Sequence, residues 1–348
     1  MPFMKSKTLL GMLMLIILSC NDGHKKPDIS QIKVKLTVRR FEKDLFTMDT
    51  LRLENSLLNL YKDYPLFLTD FIHNILGLQT GDSVLLNIGI KKFIHDYKQI
   101  FDSTRNIELA IEKEKDEIIE GLRYVKFYFP TYQLPKDFIT YIGPIDAIFT
   151  GPTGSHSEVI TTNALCSGLQ LHLGVNSTLY TSAAGQQLYP AYISNRFTSE
   201  YISVNSMKYI VDDIFPSNNK SNNFLEVLVD QGKRMYLLDL FMPDKSEEIK
   251  LGYTSVQLKG LKENEALIWN YFTENSLLYE TDMLKIRPFI SDGPYTSEFG
   301  EGSPGFISLY IGKQLVTKYM NTHPETKPNS LLELTATKIL AGSKYKPR

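Results

Sequence analysis

Six histidines are scattered along the 348 residues, at positions 24, 73, 95, 156, 172 and 323. A metallopeptidase helix needs two imidazoles at i and i+4 facing one metal, with a glutamate between them as base. No His-Glu dipeptide occurs, and no two histidines are close enough to pair on one helix, so no metal site is expected. Gly300-Glu301-Gly302-Ser303-Pro304-Gly305 spells G-x-G-x-x-G and precedes a helical pattern. A dinucleotide turn needs a strand before it and free amides toward the pyrophosphate. Here Glu298 and Glu301 would repel phosphate and Pro304 has no amide, so the stretch reads as a loop ahead of a helix, and no cofactor is expected. Walker and G-x-S-x-G motifs are absent. Cys166 follows Ala164 and Leu165 and reads as a small buried hydrophobe, not a nucleophile.

One polar constellation remains. Arg196 and Glu200 stand four apart on a helical pattern, Asp212 and Asp213 end that pattern, and Glu298 and Glu301 sit in a Gly/Pro-rich loop from Asp292 to Gly305. Left apart, these groups are a solvated helix face with a weak ion pair. Gathered in one cleft, Arg196, Glu200, Asp212, Glu298 and Glu301 would hold a cation or a basic partner, or supply Glu200 and Glu298 to a hydrolase.

The residue with the most definite chemistry lies near the start. Lys5 and Lys7 precede an apolar run from Leu9 to Leu18, too short to span a bilayer but suited to a signal-peptide core. The run ends in Ile17-Leu18-Ser19-Cys20, similar to a bacterial lipobox, in which the cysteine receives diacylglycerol and becomes the new N-terminus. Residues 1–19 then form a lipoprotein signal peptide, and 20–31, polar and without periodicity, the lipidated cysteine and its tether. Acyl chains, each contributing about 0.8 kcal/mol per buried CH₂, would hold the body to a membrane. With Cys20 consumed, Cys166 has no intrachain partner. Inner and outer membrane both fit this pattern.

The elements behind these groups follow from periodicity. Ile32, Val34, Leu36 and Val38 alternate with polar residues, which predicts a half-buried edge strand. Apolar spacing turns helical from Asp49 to about Phe129. Phe138–Thr150 and Leu165–Leu173 suit short strands, separated by a turn cluster at Gly151–Ser155. One long amphipathic helix is expected from Ile193 to Ile214, stopped by Pro216. Further helices are expected at Phe224–Phe241, at Glu263–Tyr279 with the only tryptophan, Trp269, at Phe306–Met320 and at Leu331–Leu340. The order predicts an α+β fold, mostly helical with a small central sheet. Residues 32–348 are expected to form a single body, with a helical first half (32–135) and sheet plus helices after it (136–348). With 43 % hydrophobic and 11 % aromatic residues the chain can bury a large core. Thirty-eight basic against 39 acidic residues leave no field to draw nucleic acid.

Several stretches resemble the gliding motility-associated lipoprotein GldB family of Bacteroidetes-type bacteria. They are Arg40–Phe46, Tyr192–Phe197 with Glu200-Tyr201 and Met207-Lys208, Gly232–Asp239, Trp269 with Leu277–Tyr279, Ser303–Gly305 with Tyr310–Gly312, and Ser343–Pro347. The resemblance implies a lipid-anchored cell-envelope protein, its body facing the periplasm, that serves gliding alongside other proteins of the gliding or secretion machinery. It implies no enzymatic activity. More distantly, the order of elements looks like a zincin-type peptidase domain with Asn195, Arg196, Ser199, Glu200 and Ser203 where histidines would stand, hence without a metal site. The expectation is a non-enzymatic structural or assembly component of gliding motility; an envelope hydrolase, or a peptide-binding module using the same cleft, is the alternative.

Overall fold

A computed structural model describes residues 26–79, 81–161, 163–217 and 223–348. The expected signal peptide, residues 1–19, and Cys20 lie outside the described residues. The sheet has the order β1-β2-β6-β5, with β1 at Thr37–Arg40, β2 at Asp137–Tyr141, β5 at Val159–Ile160 and β6 at Ala164–Gly168. β1 pairs with β2 in parallel, β2 with β6 in parallel, and β5 with β6 antiparallel. The edge strand expected from alternation is therefore present, but pairing begins only at Thr37. β6 is buried along its whole length and includes Cys166, whose thiol burial pushes well above its ordinary pKa. The turn cluster closes a separate hairpin of β3 (Phe149–Gly151) and β4 (Gly154–His156) through the two-residue loop Pro152-Thr153. Gly154, at φ +120°, occupies a backbone region other residues rarely adopt.

Five helices build the core and position the site. α1 is Phe41–Thr47, α2 Glu108–Tyr128, α3 Tyr201–Ile214, α4 Phe224–Phe241 and α5 Ser308–Thr322. α4 and α5 form the centre, and they touch backbone to backbone: a Cβ on Gly312 would lie 2.1 Å from the carbonyl oxygen of Leu228, and one on Gly232 2.1 Å from that of Gly312. Only glycine permits so close an approach. Around the crossing, Lys233 Nζ donates to the carbonyls of Leu332 and Leu334, and Lys313 pairs with Asp239 and Glu247. Tyr310 and Tyr345 both donate to the Glu265 carboxylate at 2.6 Å. One buried core runs from Leu36 to Tyr345 and joins the helical first half to the rest; Leu171, Tyr180, Tyr189 and Phe197 form a smaller cluster beside it.

Three helices differ from expectation. The long helix is broken: a short turn at Ala191–Ser194 is followed by residues 195–200, and regular helix resumes only at Tyr201. Through the break the amides of Arg196, Phe197, Tyr201 and Ile202 bond three residues back, to Ile193, Ser194, Thr198 and Ser199. The apolar 3-to-4 spacing survives as tight turns because Phe197 is drawn into the smaller cluster against Tyr180 and Tyr189. The Trp269 segment divides into Ser255–Glu263 and Glu265–Glu274, and the last helix into Pro328–Glu333 and Ala336–Ser343. A Thr254–Gln257 capping box fixes the start of the first of these.

Candidate functional site

The break in the long helix decides where the sequence-predicted site residues go. Arg196 and Glu200 are not on one helical face; they stand in the turns between Ser194 and Tyr201. Arg196 donates instead to the Asp292 carboxylate, 2.9 Å away. Glu200 is exposed at the start of α3. Asp212, near the end of α3, accepts from Arg234 at 2.7 Å. Glu298 is exposed on the turn Ser297–Phe299 with the Ser297 hydroxyl as partner, and Glu301 is exposed in the turn after it. Arg196 and Asp212 thus both come to the turn end of the β3–β4 hairpin, near Gly154 and Gly151 respectively, while Glu200, Glu298 and Glu301 line none of the described cavities. Of the five positions a peptidase helix would use, only Ser203 is on α3.

The structure assembles another polar group in their place. Glu158, fully buried between β4 and β5, accepts from the Ser167 hydroxyl (2.8 Å), the Ser157 amide (3.1 Å) and His172 Nε2 (2.9 Å). His172 Nδ1 lies 3.0 Å from the Thr198 carbonyl oxygen, which can only accept. Both ring nitrogens therefore face oxygens, and Glu158 takes two further donors beside His172. Burial opposes charge on Glu158, but His172, His156 and Ser167 outweigh it and hold the carboxyl below its ordinary pKa. His156, two residues before Glu158, is also buried; its Nδ1 has no hydrogen-bond partner and stands 3.9 Å from the carboxylate. Burial keeps His156 below the usual histidine pKa, against the pull of Glu158 and Asp212.

Arg234 is the brace of the neighbouring layer. It has no exposed surface, and it donates to Asp212 (2.7 Å), to Asp230 (2.8 and 3.3 Å) and to the carbonyl of Phe215 (2.7 Å), with its guanidinium 4.7 Å from the Phe215 ring centre. It ties the end of α3 to α4. Lys208, one turn earlier on α3, is buried with only the Thr153 carbonyl at 3.3 Å to receive its Nζ. Burial pushes the Lys208 ammonium down to about 8; Arg196 adds to this, and Asp292, Asp212 and Glu158 oppose it.

Two cavities meet at Arg196. The inner one, about 20 Å³, holds no more than a water and is walled by His156, Lys208, Asn205 and the hairpin. The outer one, about 110 Å³, opens between Tyr192, Tyr201, Tyr253 and Phe306, with the main chain of Gly252, Gly293 and Gly305 at its sides. The Arg196–Asp292 pair divides them. Among the described residues no three His, Cys, Asp or Glu side chains are grouped to hold a metal ion. The members of this site that sequence reasoning did not select are Glu158, His156, His172, Lys208, Arg234 and Asp292. His156 and Glu158 carried one usable signal: ionisable residues at i and i+2 between two β-compatible runs share a side of an extended chain. His172 and Arg234 carried none, because their partners are distant in sequence.

The chain matches the family model described as gliding motility protein GldB over residues 22–347, nearly its full length, and belongs to that family. No curated protein and no solved structure matches it. Among the described residues no helix is long and apolar enough to cross a membrane.

Proposed function

We propose that this member of the GldB family is a lipid-anchored, non-enzymatic assembly component of gliding motility, held to a membrane through Cys20 with its body, residues 32–348, on the periplasmic side. The observation that carries the reading is how the charged groups near the cleft are used. Arg234 is spent on Asp212 and Asp230, Arg196 on Asp292, and Glu158 on His172 and Ser167. These pairs lock α3, α4 and the sheet together. What faces outward is a shallow aromatic and main-chain cleft, suited to holding a segment of an envelope partner.

The hydrolase alternative has one supporting observation. Lys208, lowered toward neutrality, and His156, with an unpartnered nitrogen, both face the inner cavity, so any general base would be one of these two and not Glu200 or Glu298. A single experiment separates the readings. A photo-crosslinking residue at position 192, on the half-exposed rim of the cleft, should capture a defined envelope protein in gliding cells. Tyr192→Asp should stop gliding while His156→Gln and Lys208→Met leave it intact. Gliding lost in folded His156→Gln or Lys208→Met, with Tyr192→Asp gliding normally, would overturn the assembly reading in favour of chemistry.

A further inference from the structure

The largest cavity described, about 710 Å³, shares no lining residue with the Arg196 cleft. Its floor is apolar: Phe127 and Tyr128 from the end of α2, Tyr236 and Leu240 from α4, and Met320 from α5. Phe127 is 45 % exposed and adds apolar surface to this floor. The polar lining residues, Glu325, Thr326, Lys327 and Asn329, all come from one short stretch, the loop after α5 and the first turn of the helix Pro328–Glu333, and no strand residue lines it. A peptide would need main-chain partners along its length, which this wall does not offer. A hydrocarbon chain would not. Its size falls in the range of small-molecule sites.

Pro27, Pro130, Pro324 and Pro328 complete the wall, and Pro27, close to the start of the described chain, points to the occupant. Lys26 is ion-paired with Asp244 beside a neighbouring cavity, Ile29 and Val34 pack against the core, and Pro27 between them lines the groove, so the first described residues run along the body past it. Cys20 is only six residues before Lys26. Six residues reach at most about 20 Å. A lipid on Cys20 is therefore confined to the neighbourhood of the groove. We infer that one acyl chain of the Cys20 lipid lies in the groove between α2, α4 and α5. The inference rests on the reading of Cys20 as the lipid carrier. It gives the protein a way to shield a chain from water and to present this face toward the membrane.

The test uses the mature chain from residue 20, made with and without its lipid, and a fluorescent fatty acid as probe. The unlipidated chain should bind one equivalent of probe; the lipidated chain, its groove filled, should bind at least tenfold more weakly. Phe127→Glu, at a half-exposed position, and Leu240→Gln should each weaken binding to the unlipidated chain by tenfold or more while its thermal melt stays cooperative. Absence of binding to the unlipidated chain, or equal binding to both forms, overturns the inference. The mass of the protein from cells separates the anchor from the groove: no lipid on Cys20 removes the anchor reading and this inference together, whereas lipid present with equal probe binding removes this inference alone.

Discussion

Gly312→Ala tests whether the α4–α5 crossing holds the molecule together. The new Cβ would sit 2.1 Å from the Leu228 carbonyl oxygen and 3.0 Å from its carbon. Ordinary contact begins near 3.4 Å, so the helices must part by about 1 Å or the backbone must bend. Neither side can yield by rotating a side chain, since the opposing atoms are main chain. Overpacking typically costs about 1–3 kcal/mol, and a backbone clash belongs at or above the top of that range. Alanine returns about 1 kcal/mol of helix propensity. The net expectation is a loss of about 2–3 kcal/mol, or a fall in Tm of roughly 3–4 °C for a chain of this size. Gly232→Ala, facing the Gly312 carbonyl at 2.1 Å, should behave alike. Gly260→Ala is the control: it lies in the Ser255–Glu263 helix with nothing within 4 Å of the added carbon, and should gain up to about 1 kcal/mol. Thermal melts of the three variants decide the matter. If Gly312→Ala melts at or above the wild-type temperature while Gly260→Ala gains as stated, the close crossing is not as described.

Removing the Arg234 guanidinium with Arg234→Met leaves Asp212 and Asp230 without their shared cation and should cost about 3–5 kcal/mol in denaturant unfolding; Arg234→Lys should recover less than half, since one ammonium cannot serve the fork. Lys208 is lowered from 10.5 to about 8. The folded state therefore holds this proton less tightly than the unfolded chain, and its contribution to stability rises as pH climbs from 8 to 10.5 and is constant below 8. Lys208→Met should remove a penalty of roughly 3 kcal/mol at neutral pH and flatten part of that rise, Lys233 supplying the rest from the same window. An unchanged slope in Lys208→Met between pH 8 and 10.5 would show the amine is not buried. Glu158 is lowered from 4.5, so its contribution is present above 4.5 and lost as pH falls through the folded value; Glu158→Gln should be less stable than wild type at pH 7, with the gap closing in acid.

The parts of the fold that local patterning controls were legible. Phe224–Phe241 is the predicted helix to the residue, and the Gly151–Ser155 cluster is the hairpin turn, because spacing and turn chemistry act within a few residues. The broken helix shows where that logic stops. Ile193, Phe197 and Tyr201 keep a helical spacing, yet Phe197 is held by Tyr180 and Tyr189, the Thr198 carbonyl by His172 and Arg196 by Asp292. Three contacts from distant segments outweigh the modest preference of one turn for helix. The same contacts relocate the site: an i,i+4 pair exists only if the helix does, and with the helix broken Arg196 is free to reach the loop at Asp292.

The stretches that carry the family resemblance fall partly on supports and partly on the Arg196 cleft. Within Arg40–Phe46, Glu42 is buried and takes Arg40 and the Thr140 hydroxyl, fastening α1 to β2. Within Gly232–Asp239 are the crossing glycine, Arg234 and the Asp239 partner of Lys250 and Lys313. Tyr310, Gly312 and Tyr345 lock α5 and the chain end onto Glu265, and Trp269 packs edge-on against Tyr345 at 4.9 Å. A catalyst concentrates its distinctive residues where the reacting atoms sit, because positioning and charge act over a few ångströms. Here they are divided between helix crossings and buried ion pairs on one side and the Arg196 cleft on the other, which Tyr192, Arg196, Tyr201, Pro304 and Gly305 line. The two groups call for different substitutions: Gly312→Ala and Arg234→Met act on the supports and should be read in stability, whereas Tyr192→Asp acts on the cleft rim and should be read in gliding with the fold intact.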